Sequence, residues 1–73
     1  MKKKEKFTDN EKELLINLGI KIKKKRELLK FSQLELSKKS WIDRSFIWLL
    51  EVWLANISFL KLKKIEKILD EEF

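Results

Sequence analysis

Apolar residues recur at three- and four-residue intervals along most of this chain, which is the spacing of one face of an α-helix. Leu14, Leu15, Leu18, Ile22, Arg26 and Leu29 mark such a face, with Arg26 its one charged member, while Lys21, Lys23, Lys24 and Lys25 point mostly the other way. Those lysines form either a solvated face or a set of phosphate contacts. The pattern predicts a long first helix starting near Asn10, because Asn10-Glu11-Lys12-Glu13 sets an N-cap acceptor three residues before a Glu that can reach back. Ser32-Gln33-Leu34-Glu35 repeats the device and predicts a short helix through Lys39 with Leu36 and Ser37 facing inward. A turn is expected at Ser40, Trp41 and Ile42. Asp43 should then cap a third helix, Arg44 to about Val52, with Phe46, Ile47 and Leu50 at core spacing. Ser58 should cap a last helix, Phe59 to about Asp70, carrying an inner stripe of Leu62, Ile65 and Leu69 and wet Lys61, Lys63, Lys64 and Lys67.

Composition narrows the picture. With 73 residues the chain makes one small domain. Pro is absent and Gly occurs once, so the breakers that many short strands and tight hairpins need are missing, and the class is all-α. There is no His and no Cys, which removes the usual zinc ligands, the usual general base and the thiol nucleophile. No metal, no cofactor and no enzymatic activity are expected. The net charge of +6 favours a polyanionic partner, nucleic acid before an anionic membrane surface. The longest apolar run, Phe46 to Leu50, is far shorter than the ~20 residues of a membrane span, and no apolar stretch follows the basic start to make a signal peptide. A cytoplasmic protein is expected, with residues 1–9 as a flexible basic tail and 10–73 as the folded domain. The tail is either plainly solvated or a loose electrostatic arm for phosphates.

Two capped helices joined by a three-residue turn have the geometry of helix-turn-helix DNA binding, in which the second helix enters the major groove. The residues Leu18-Gly19, Ile22, Arg26, Phe31-Ser32-Gln33, Leu36-Ser37, Ile42-Asp43-Arg44-Ser45-Phe46-Ile47, Leu50-Glu51, Asn56, Ser58-Phe59, Leu62 and Ile65 carry a resemblance. The chain resembles the phage-repressor/Cro type of helix-turn-helix domain, the XRE family, which includes restriction-modification controller proteins. The resemblance implies a lambda-repressor-like bundle of four to five helices and a dimeric, sequence-specific regulator of double-stranded DNA. It further implies that Gln33 clamps a phosphate or an outer base, that Arg44 and Ser45 read bases, that Asn56 meets the backbone, that Ser32 belongs to the same DNA-binding set, and that Arg26 pairs with Glu51. From the residues alone, Arg44 at an exposed helix start suits a bidentate contact with guanine or is an idle surface charge. Gln33 could equally be no more than a first-turn residue.

The departures from the family pattern cluster. Trp41 stands where the family has Gly in the turn, Val52 and Trp53 where it has Arg or Asn and then Gly, and Trp48 where a polar base-contacting residue is expected. From Phe46 to Leu54 eight of nine residues are apolar, so a third helix burying one face would leave Trp48, Leu49, Val52, Trp53 and Leu54 turned to water or a partner. The reading placed first is therefore a remodelled scaffold, by engineering or by divergence. In it Trp41, Trp48, Leu49, Val52 and Trp53, rimmed by Arg44 and Ser45, bind a protein partner or a second copy. The alternative is the ordinary DNA-binding dimer.

Overall fold

A computed structural model describes residues 7–73, and four α-helices account for the regular structure among them: α1 (Asp9–Leu28), α2 (Gln33–Ser40), α3 (Arg44–Glu51) and α4 (Phe59–Leu69). The all-α expectation holds. The first helix starts earlier than Asn10, because Thr8 takes the N-cap: its hydroxyl accepts from the Glu11 amide at 3.2 Å and Glu11 Oε1 accepts from the Thr8 amide at 2.8 Å. Residues 1–6 of the expected tail lie outside the described residues, and of the remaining three Asp9 is the first residue of α1 and Thr8 its N-cap. Ser32 and Glu35 close the expected second capping box, at 3.0 Å in each direction, and Ser58 caps α4 through the Lys61 amide at 3.3 Å. Asp43 occupies the N-cap position of α3 but its side chain bonds no first-turn amide.

The core gathers Ile22 of α1, Leu36 of α2, Ile42 of the turn, Ile47 and Leu50 of α3, Ala55 of the following loop, and Ile65 and Leu69 of α4. Burying each large aliphatic side chain contributes about 1.5–3 kcal/mol, and the residues come from every helix. Leu14 and Leu29, expected on the inner face of α1, lie outside the core, with Leu14 68% exposed. The buried stripe of α1 is Leu15, Gly19, Ile22 and Arg26, which runs at three- and four-residue steps along one line.

With a single glycine in the chain, helix ends use other residues. Lys30 (φ 60°), Trp41 (φ 60°), Trp53 (φ 70°) and Asp70 (φ 53°) are all left-handed, a conformation costing an L-residue roughly 1–2 kcal/mol. After α1 and α3 the backbone makes full Schellman closures: Phe31 donates to the Arg26 carbonyl at 2.9 Å and Lys30 to that of Glu27 at 3.0 Å, and Leu54 donates to Leu49 at 2.9 Å and Trp53 to Leu50 at 3.2 Å. The two positions where the family pattern has glycine and this chain has Trp41 and Trp53 are thus positions of positive φ.

Gly19 serves a different need, close approach of α1 to α3. A Cβ there would run into the Leu50 carbonyl oxygen and come within 2.9 Å of Trp53 Cδ1. Gly19→Ala should therefore cost about 1–3 kcal/mol through overpacking, although alanine is the better helix former. A urea midpoint shifted downward checks this; an unchanged or raised midpoint would contradict it.

The end of the chain returns to the bundle. The Phe73 amide donates to Glu66 Oε2 at 2.8 Å, its ring packs against the core, and Lys25 reaches Glu71 at 3.2 Å. Donation from the Phe73 amide, helped by Lys63, holds the Glu66 carboxyl below its ordinary value of 4.5. A carboxyl depressed on folding contributes its stability above the unfolded value and loses it as pH falls through the folded one. Thermal stability should therefore drop below about pH 4.5, and Glu66→Gln should reduce the size of that drop in a pH series of melts.

Candidate nucleic-acid interface

The turn between α2 and α3 is fixed by two serines of α2. Ser37 Oγ donates to the Ile42 carbonyl at 2.6 Å, and Ser40 Oγ accepts from the Ile42 amide at 3.2 Å while donating to the Leu36 carbonyl at 2.7 Å. Both backbone groups of Ile42 are thereby bound and its side chain sits in the core. Trp41 then reverses the chain with its left-handed backbone, and α3 leaves at a set angle from α2.

Glu51, in the last turn of α3, sets the position of the remaining elements. Its Oε2 accepts from Arg26 Nε at 2.7 Å and its Oε1 from Arg26 Nη2 at 2.9 Å, a two-pronged pair in which both residues are buried. Arg26 Nη1 donates to the Phe31 carbonyl at 2.7 Å, which joins the pair to the α1–α2 loop. Gln33 Nε2, at the first position of α2, also donates to Glu51 Oε1, at 3.1 Å. The hydrogen bond to Glu51 raises the Arg26 pKa above its already high value, so the guanidinium stays charged at every accessible pH. The pairing of Arg26 with Glu51 implied by the family resemblance is present. Gln33 is more than a first-turn residue, since its side-chain amide ties the head of α2 to Glu51 at the end of α3.

Gln33, Arg44, Ser45 and Trp48 line one shallow depression on the surface. Arg44 and Ser45 are exposed on the first turn of α3, and Trp48, four residues after Arg44, is 49% exposed beside them. Among the described residues Arg44 has no ion-pair partner, so its guanidinium fork is available. Asn56 is exposed in the loop before α4, its Oδ1 accepting from the Ile57 amide at 2.8 Å, and Ser32 is committed to capping α2. Neither lines the depression that holds Gln33 and Arg44.

The expected apolar patch loses one member, Leu49. Leu49 is half-buried and packs against the core, because α3 lies against both α1 and α2 and buries more than one side. Trp53, 46% exposed, turns back over Gly19 and shares a hollow with Phe7, Lys12, Ile16, Val52 and Leu54. Trp41 lies in a third hollow with Lys39, Ser40, Lys64, Lys67 and Ile68. The three tryptophans therefore line three depressions that share no residue. Sequence reasoning missed the grip of Glu51 on Gln33 and the serine lock on Ile42; the Ser37-x-x-Ser40 spacing just before the turn was the available signal for the second.

A family model described as helix-turn-helix matches residues 22–73, which takes in α2, the turn, α3 and α4. The chain belongs to this helix-turn-helix family, the phage-repressor/Cro or XRE type, and it carries the family's DNA-binding scaffold. No curated protein and no solved structure matches it significantly. The family is one of binding domains, and no group of His, Cys, Asp or Glu among the described residues could hold a metal ion. No described helix is long and apolar enough to cross a membrane.

Removing the Glu51 carboxylate strands the buried Arg26 and frees Gln33. Glu51→Leu should destabilise the protein by about 3–5 kcal/mol, and adding Arg26→Met should restore most of that, since replacing both members of a buried pair is often neutral. Denaturant unfolding of the two variants checks this, and equal losses in both would contradict it.

Proposed function

We propose that this protein is a sequence-specific DNA-binding regulator that acts as a dimer on a two-fold related site, with α3 in the major groove. The observation that carries the reading is the pairing of two helix starts: Gln33 at the head of α2 and Arg44 and Ser45 at the head of α3 line one depression, held in register through Glu51. In this arrangement Arg44 reads guanine through its fork, Ser45 lies on the neighbouring base, and Gln33 meets a phosphate. Trp48 extends the reading surface with an apolar face suited to a thymine methyl group. Asn56 contacts the backbone farther along. The charge of +6 supplies the sequence-independent attraction.

The competing reading, a protein-binding module built on Trp41, Trp48 and Trp53, draws nothing from the family match, which supports a DNA-binding scaffold. Selection from random duplex DNA distinguishes the two. Enrichment of a palindromic site is expected, with affinity falling steeply as salt rises. Arg44→Ala should weaken the selected site by about 1–3 kcal/mol and relax the preference at one base pair in each half-site. No enrichment, or enrichment indifferent to Arg44→Ala, would overturn the proposal.

A further inference from the structure

Trp41 is the most exposed large apolar residue among the described residues, at 91%, and its backbone is left-handed with φ 60° and ψ 27°. A bulky side chain in that conformation is a genuine outlier, and here the indole recovers almost nothing by packing. The folded domain thus holds an aromatic plane in water at a cost in its own stability. Around that plane the surface is cationic: Lys39, Lys64 and Lys67 share the hollow with Ser40 and Ile68, and no carboxylate lines it. Lys64 and Lys67 have no ion-pair partner among the described residues, and the Lys39 ammonium stands 5.1 Å above the Phe31 ring.

We propose that Trp41 with Lys39, Lys64 and Lys67 forms a second nucleic-acid contact, one that takes an unpaired strand. One base stacks on the indole and the adjoining phosphates meet the three ammonium groups. Every base offers a π-face, so the contact is tolerant of sequence, whereas a continuous duplex offers no open face except at its ends. An acidic peptide would satisfy the lysines and leave the indole wet. A membrane surface would need apolar residues around the tryptophan, and Ile68 is the one large apolar neighbour in the hollow. The site is separate from the α3 reading surface, with which it shares no lining residue, and it stands whether or not that surface reads duplex DNA.

The test is the affinity of the full chain for a fluorescent oligothymidylate of about twelve nucleotides, within the usual range of single-strand site sizes, measured by anisotropy at low salt. Trp41→Gly relieves the left-handed strain and loses no packing, so a melting temperature at or above that of the parent shows that the fold survives. The proposal expects this variant to bind the oligonucleotide about tenfold or more weakly and Trp41→Phe to keep most of the affinity. It also expects an abasic strand of the same length to bind the parent as weakly as oligothymidylate binds Trp41→Gly. Equal binding by parent and Trp41→Gly, or by abasic and normal strands, would reduce the site to bare charge and overturn the proposal. Trp41-dependent binding to phosphatidylserine vesicles without Trp41-dependent binding to the strand would overturn it in favour of a lipid surface.

Discussion

The Glu51 carboxylate is shared by three parts of the structure. It holds Arg26 of α1 by two hydrogen bonds and Gln33 of α2 by a third, and it is itself the last residue of α3. A small domain gains little net stability from a buried ion pair, because desolvation offsets much of the attraction. What the pair supplies is direction. Apolar packing alone would let α3 rotate or slide against α1 by small amounts, whereas a planar fork facing a carboxylate fixes both distance and angle. The head of α2 and the head of α3 are then presented together, which is the geometric requirement for touching phosphate and base edge at once.

A second constraint is the scarcity of glycine. The one glycine is spent on close packing between α1 and α3, where any Cβ would meet the Leu50 carbonyl, and nothing is left for the left-handed residues that end helices. Lys, Trp and Asp take those places at a cost of roughly 1–2 kcal/mol each. The two tryptophans among them differ. Trp53 recovers part of that cost by covering Gly19, while Trp41 stands in solvent and recovers almost none. That contrast separates a tryptophan that packs on the fold from one that does not.

The sequence made much of this readable where one local signal had one solution. Ser32 and Glu35 close a capping box around a short apolar run, and α2 starts there. The start of α1 was not decided in the same way, since Thr8-x-x-Glu11 and Asn10-x-x-Glu13 are both competent boxes and only the folded chain selects the first. The Arg26–Glu51 pair joins residues 25 apart in sequence and was reachable through the family resemblance rather than from spacing. Leu49 turns inward because α3 packs against two helices, whereas the apolar spacing along a helix shows a face for one. Likewise, nothing in residue order shows that a Schellman closure turns Trp53 back onto α1 or that Trp41 ends up among the lysines of α4. Those depend on backbone reversals, and a run of apolar letters does not display them.

The most direct measurement of the central claim is a chemical-shift map of the backbone amides on adding a duplex of about 20 base pairs, long enough for two half-sites. The account predicts that the largest changes fall at the heads of α2 and α3, on Gln33, Arg44, Ser45 and Trp48, with smaller ones at Asn56 and little along the exposed side of α1. Changes centred on Trp53, Leu54 and Ile16, or no changes at all with duplex in excess, would contradict it.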